Sequence, residues 1–308
     1  VGNQGFSGTP LWKLRQQGIV QAPKIQLPPT EQEKEKEREL EEAQVANVLM
    51  DSASLGGPHV GEKVNAKPFV RHVLVKDLRK VAARTKVALP STGLFAARSP
   101  VALFALFDGQ SCADASPGPL AAEWCARHVH TKLLKNLSLL GPSQTNEIFL
   151  KATLLKTFED LDKDLLTGQP SIQDGCGAAL LLLVGEQLFA AVVGLCDVVV
   201  CEGGASASQG FETRSLGANQ GRCHLPSEAR ALQERGGAIF LENGRSCVRT
   251  ATGSTAAISR SLGDRAFKSE GEALLSCEPE ISVVELSFAK GNFMLLLTSV
   301  PVTENVSV

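Results

Sequence analysis

The sequence lacks several features that would assign it to a class of protein at once. Its 308 residues carry a formal net charge of -2, so neither nucleic acid nor an anionic membrane is an expected partner. The eight cysteines form no C-x-x-C pair and no regular spacing, which argues against a zinc cluster and against a disulfide framework. A reducing intracellular compartment, the cytoplasm, is therefore the expected location.

No apolar run is long enough for a membrane-spanning helix. The most apolar stretch, residues 177–201, is interrupted by Gly185-Glu186-Gln187, whereas a spanning helix needs about 20 consecutive apolar residues. Two buried strands joined by a tight turn explain this stretch better. The sequence therefore predicts no membrane span.

The first 68 residues differ in composition from the rest and are predicted to form an extension. Residues 1–30 are rich in Gly, Pro and Gln with scattered apolar side chains such as Phe6 and Trp12, which indicates an extended arm that lies along another surface. Thr30 precedes a charged helix over residues 31–50, with Glu33 placed to complete a capping box, and a linker follows at 51–67. The arm is the expected contact for a protein partner.

Residues 69–308 are predicted to form one domain of α+β class. Short β-type runs arrive in pairs, which favours hairpins and antiparallel sheets over a βαβ repeat. The expected architecture is two antiparallel β-sheets in a sandwich flanked by helices. Predicted strands cover 69–75, 86–89, 101–107, 178–184, 188–193, 198–201, 281–286 and 293–298, and predicted helices cover 118–137, 146–166 and 226–235.

Five short motifs follow one another through this domain. They are Phe104-Ala105-Leu106-Phe107-Asp108-Gly109-Gln110, the stretch from Gly175-Cys176-Gly177 to Gly194, Glu228-Ala229-Arg230 with Gly236-Gly237, Ala257-Ile258-Ser259-Arg260-Ser261-Leu262-Gly263-Asp264, and Glu278-Pro279-Glu280-Ile281. In this order and spacing they resemble the metal-dependent serine/threonine protein phosphatases of type 2C. The resemblance covers residues 69–308 and implies a β-sandwich with a metal site in the cleft at one end.

The resemblance also implies a chemistry. In that family two divalent cations, usually Mn²⁺ or Mg²⁺, are held by aspartates and a backbone carbonyl, and a bridging water attacks phosphoserine or phosphothreonine. Asp108 and the Gly109 carbonyl match two of those ligands. Hard cations need several anionic oxygens, so the number of carboxylates decides whether the domain could be active.

The other acids of that site are missing where they are expected. The acidic triplet expected near 79–86 is replaced by residues without a single acid, and Leu195 stands in place of an auxiliary aspartate. Asp197 would lie about 7 Å further along a strand. One alignment puts Val300 in place of a metal aspartate, whereas a second matches 303–308 to the last strand of the family and puts Glu304 in place of the last metal aspartate. Both alignments remain open.

Three functions compete on this basis. The leading hypothesis is a degenerate phosphatase domain, with no tightly bound metal, that acts as a scaffold or regulatory interaction module. The second is an active or weakly active Mn²⁺- or Mg²⁺-dependent protein phosphatase. The third is a phosphopeptide-binding module whose cations would be Arg79, Lys80, Arg84 and Lys86.

Some of the matched residues also have a structural explanation. Asp108 could serve as part of an Asp-Gly turn that ends a strand. Arg260 and Asp264 are expected to form an internal ion pair or to cap a turn, and not to contact substrate. On these alternatives the matched residues stabilise the fold and take no part in catalysis.

Overall fold

The structure, a computed structural model, describes residues 69–96, 99–110, 120–203, 211–217, 221–242, 244–268, 273–286 and 293–299. The predicted arm, charged helix and linker lie outside these residues, as do Val300 and Glu304. In chain order the elements are β1 (Val70–Val75), α1 (Leu78–Arg84), β2 (Val101–Gln110), α2 (Leu120–Leu137), α3 (Glu147–Gly168), β3 (Gly175–Val184), β4 (Gln187–Val193), β5 (Cys196–Gly203), β6 (Phe211–Ser215), α4 (Pro226–Glu234), β7 (Ala238–Glu242), β8 (Arg245–Arg249), β9 (Thr255–Ala256), β10 (Leu262–Gly263), β11 (Glu280–Glu285) and β12 (Phe293–Ser299). Short 3₁₀ helices cover Gly93–Phe95 and Arg265–Phe267.

The first sheet has the strand order β1-β2-β3-β4-β11, with β10 added to the start of β3, and every pair is antiparallel. All ten residues of β3 are buried, as the unbroken apolar run predicts for a central strand. Gly185 adopts a φ of 63° in the turn between β3 and β4, a left-handed conformation that glycine adopts without a Cβ clash. The predicted hairpin of two buried strands is confirmed.

The second sheet, β12-β5-β6, packs on one face of the first. Side chains alternate along each strand, so β2 directs Ala102 and Phe104 to the second sheet and Leu103 and Phe107 to the opposite side. The core between the sheets is built mainly from Val, Leu and Ala. This antiparallel sandwich with helices confirms the predicted α+β class.

The helices α2 and α3 cover the other face of the first sheet. Asn146 caps α3 by accepting a hydrogen bond from the Phe149 N–H at 3.3 Å, and the Asp174 carboxylate accepts one from the Ala121 N–H at 3.1 Å at the start of α2. Among the described residues these two helices form the layer on this face. No helix in this part of the chain is both long and apolar enough to cross a membrane.

A third small sheet, β7-β8-β9, shares its own core with α4. Its strands were not predicted from the sequence, although the pair Asn243-Gly244 is a strong hairpin signal.

The strand predicted at 86–89 is wrong. Those residues follow the end of α1, where Lys86 has a φ of 55° and the Val87 N–H donates to the Ala82 carbonyl.

Candidate functional site

Asp108 and Gly109 lie inside β2 and not in a turn. Asp108 pairs with Val70 on β1 and with Gly177 on β3. The Gly109 N–H donates to the Phe69 carbonyl at 3.2 Å. The alternative in which an Asp-Gly turn ends the strand is therefore wrong, because both residues continue the ladder.

The strands beside Asp108 bring no second carboxylate directly opposite it. Opposed side chains in an antiparallel pair have Cβ atoms about 4.5–5.5 Å apart, close enough for two carboxylates to share a cation. Those opposed positions are Val70 and Gly177. The ladder around Asp108 therefore supplies one carboxylate and the Gly109 carbonyl.

Residues 79–86, where the acidic triplet was expected, do not lie beside Asp108. Those residues lie in and just after α1, which follows the end of β1. That end, Val75, pairs with Leu103, whereas the start of β1, Val70, pairs with Asp108. Five residues of strand separate the two ends by about 17 Å. Acids near 79–86 would therefore lie away from Asp108, and the β1 residue opposite Asp108 is Val70.

The basic residues near α1 do not converge on Asp108 either. The Arg79 guanidinium donates from Nη2 to the carbonyls of Phe95 and Ala96, both at 2.9 Å, and so holds a loop. Lys80 lies 3.8 Å from the carboxylate of Asp77, the N-cap of α1. The four cations of the phosphopeptide-binding hypothesis follow the end of β1 that is far from Asp108: Arg79, Lys80, Arg84 and Lys86.

Two buried thiols lie near this end of β2, and the Cys196 thiol is the one close to Asp108. Cys176 pairs across the ladder with Gly109, and Cys196 begins β5; both side chains are fully buried. Burial and then the Asp108 charge raise the pKa of the Cys196 thiol well above its usual range. A hydrogen bond with Cys125 and burial raise the pKa of the Cys176 thiol in the same direction. Both cysteines pack as small apolar side chains in the cores on the two faces of the first sheet.

The turn between β4 and β5 also lacks a free acid. Leu195 packs against the core of the third sheet. Asp197 is 1% exposed, and its carboxylate accepts hydrogen bonds from the Ser215 hydroxyl at 2.8 Å and the Gly217 N–H at 3.0 Å. Asp197 therefore ties β5 to the end of β6 and is not a substitute for the acid that Leu195 replaces.

Asp264 is the second buried carboxylate near this end of β2. Its side chain packs directly on Gly175, where a Cβ would approach Asp264 Oδ2 to 2.1 Å. The Gln110 amide donates from Nε2 to the same oxygen at 3.4 Å. Gly175 lies two positions along β3 from Gly177, about 7 Å from the residue that opposes Asp108. Asp264 also has a φ of 53°, in keeping with a turn residue.

Arg260 forms an internal ion pair. Its guanidinium donates from Nη2 to Glu228 Oε1 at 2.7 Å and from Nε to Oε2 at 3.0 Å, and the Ser259 hydroxyl donates to Oε2 at 2.5 Å. Glu228 is 3% exposed, and its burial would raise the pKa of the carboxyl. The hydrogen bonds from Arg260 and Ser259 outweigh burial and hold that pKa below its usual value. The sequence did not predict this partner, which comes from α4 in a different motif.

The comparison with known families matches this arrangement to one of them. Residues 77–300 match the family model described as "Protein phosphatase 2C". The chain belongs to the protein phosphatase 2C family. The match begins just after β1 and ends just after β12, so it includes every described strand except β1, together with the turn around Arg260.

Relatives and solved structures of protein phosphatase 2C agree with this assignment. "Probable protein phosphatase 2C 8" of Arabidopsis thaliana is 30% identical over 72% of this chain and 60% of its own length. The "Integrin-linked kinase-associated serine/threonine phosphatase 2C" of Bos taurus is 26% identical over 87% of this chain and 65% of its own length. A crystal structure of serine-threonine phosphatase 2C from Toxoplasma gondii shares the fold, with a TM-score of 0.52 at 16% identity over 63% of this chain and 67% of that one. The chain thus spans less than two thirds of these two relatives.

The described part of this protein phosphatase 2C domain does not fit a two-cation site. Among its residues no group of three or more His, Cys, Asp or Glu side chains could hold a metal ion. Asp108 and Gly109 are the matched ligands, and the neighbouring carboxylates of Asp197 and Asp264 are held by other contacts. Two hard cations need more anionic oxygens than this set provides.

Proposed function

We propose that this protein phosphatase 2C domain works as an intracellular scaffold or regulatory interaction module without ordinary phosphatase activity. The observation that carries the proposal is the register around Asp108, which sets Val70 and Gly177 opposite the retained ligand. A domain of this kind retains the β-sandwich fold but has no catalytic activity. Its partners would be proteins, with the arm at residues 1–30 as a contact, and Mn²⁺ or Mg²⁺ would bind weakly at most.

The chemistry explains why one carboxylate is not enough. A bridging water becomes a nucleophile at neutral pH only when divalent cations lower its pKa. Mg²⁺ and Mn²⁺ compete with their own hydration shells, so each needs several protein oxygens or substrate phosphates. Asp108 with the Gly109 carbonyl supplies only part of one coordination shell.

Turnover of a small aryl phosphate tests this proposal against the active alternative. We expect the full chain with Mn²⁺ to release product no faster than the Asp108→Ala variant, because neither protein holds the attacking water. The measurement is the initial rate across a range of Mn²⁺ concentrations, with a chelator as blank. A Mn²⁺-dependent rate that Asp108→Ala abolishes would contradict the proposal and support an active phosphatase.

A further inference from the structure

The third sheet presents a face that none of the preceding functions uses. Ile239 on β7 and Val248 on β8 pair across the ladder and point into the core shared with α4. Alternation along the strands sends Phe240, Arg245 and Arg249 to the opposite face. We call this the arginine face, and it consists of Phe240, Glu242, Arg245, Cys247, Arg249 and Thr255.

The two arginines of this face are exposed and make no ion pair with any described carboxylate. Glu242 is opposite Arg245 in the ladder but is not within ion-pair distance of it. Arg249 is held in place by the Phe240 ring, because its Cζ atom lies 4.2 Å from the centroid of that ring. A cation over an aromatic ring loses less freedom when it binds an anion, because the ring already orients it.

A groove runs beside Arg245 on the same face. Its volume is about 450 Å³, and it opens to solvent. The walls are small or polar, which leaves room for a peptide backbone. The lining residues are Glu242, Arg245, Cys247, Thr255, Ala256 and Ala257.

We propose that the arginine face binds an extended acidic segment of a partner protein. Arg245 and Arg249 are four residues apart on one strand, so their Cα atoms lie about 13 Å apart. Carboxylates four residues apart on an extended peptide have the same spacing. A single phosphate could not reach both cations. Separate carboxylates along one peptide therefore fit the face better than a phosphoryl group.

This binding needs neither a metal nor Asp108, so it goes beyond the proposed scaffold role and stands apart from it. Exposed single ion pairs contribute little, so affinity must come from two arginines acting together with the groove. Salt would weaken such binding because the charges are exposed to solvent. The arginine face is therefore suited to weak and reversible binding of a partner.

Fluorescence anisotropy with a labelled peptide of alternating glutamate and alanine tests the proposal on the full chain. We expect the double variant Arg245→Glu, Arg249→Glu to raise the dissociation constant of the peptide by about tenfold or more, because both favourable contacts become repulsive. The matched control is Lys163→Glu with Arg214→Glu, which makes the same change of net charge on α3 and β6. That control is expected to bind within about twofold of the original chain, since long-range charge is screened.

Three further results decide the outcome. The corresponding glutamine and alanine peptide should not bind, and Asp108→Asn should leave the affinity unchanged. Arg245→Gln with Arg249→Gln repeats the test if the charge-reversed protein does not fold. Equal binding of the two peptides, or equal weakening by the control variant, would overturn the proposal.

Discussion

Replacing Glu228 with alanine is expected to lower the free energy of unfolding by about 3–5 kcal/mol, the usual cost of removing one partner from a buried ion pair. The substitution leaves the Arg260 guanidinium, largely buried, without its carboxylate, and leaves the Ser259 hydroxyl without its acceptor. It also separates α4 from the turn that carries Arg260. Urea denaturation of the full chain, followed by circular dichroism, measures the loss.

Two comparisons test the cause of this loss. Lys151→Ala breaks the exposed pair with Glu147 at 2.7 Å and should cost less than about 1 kcal/mol. Glu228→Met combined with Arg260→Met removes both charges and should unfold at a higher urea concentration than Glu228→Ala alone. If Lys151→Ala were as destabilising as Glu228→Ala, the assignment of Glu228 as a buried structural anion would be wrong.

Acid should remove the same contribution. The pKa of Glu228 is lower in the folded chain than its ordinary value of 4.5. The stabilisation is therefore fully present above pH 4.5 and is lost as the pH falls through the lower pKa of the folded protein. The difference in stability between the original chain and Glu228→Ala should shrink over that range.

Replacing Val70 with aspartate is expected to create a metal response. The new carboxylate would lie directly opposite Asp108 in a pair without backbone hydrogen bonds between its members, since the Gly109 N–H bonds to Phe69 in the next pair. Without metal, two like charges and a lost apolar contact should destabilise the fold by about 1–2 kcal/mol. With Mn²⁺ at ten times its dissociation constant, binding should return about 1.4 kcal/mol.

Thermal unfolding with Mn²⁺ and with a chelator measures this response. Val70→Asn is the matched control, because it has the same size and polarity without the charge, and its unfolding temperature should change much less with Mn²⁺. The variant Val70→Asp with Asp108→Asn should lose the response again. A Val70→Asp protein that is equally stable with Mn²⁺ and with chelator would show that the two positions do not share a cation.

The fold was largely predictable because its signals are local. The apolar run around Gly185 predicted the β3–β4 hairpin, and the motif around Arg260 predicted the family. The short strands β7 to β9 were missed because they alternate weakly, even though Asn243-Gly244 marks their turn. Helix α1 was missed because seven residues rich in Arg and Lys give little periodicity.

The site was less predictable because it depends on register. The sequence identified Asp108, but only the pairing of β1 with β2 shows that Val70 opposes it. The sequence placed the missing acids near 79–86, which follow the other end of β1. The partner of Arg260 could not be predicted either. Glu228 is distant in sequence, and only the packing of α4 brings it to Arg260.

The central claim is that too few carboxylates surround Asp108 to hold two divalent cations. A calorimetric titration of the full chain with Mn²⁺ tests this claim most directly. We expect no heat of specific binding at micromolar Mn²⁺, with Val70→Asp as a variant that should bind more tightly than the original chain. Two-site binding by the original chain at micromolar affinity would contradict the claim.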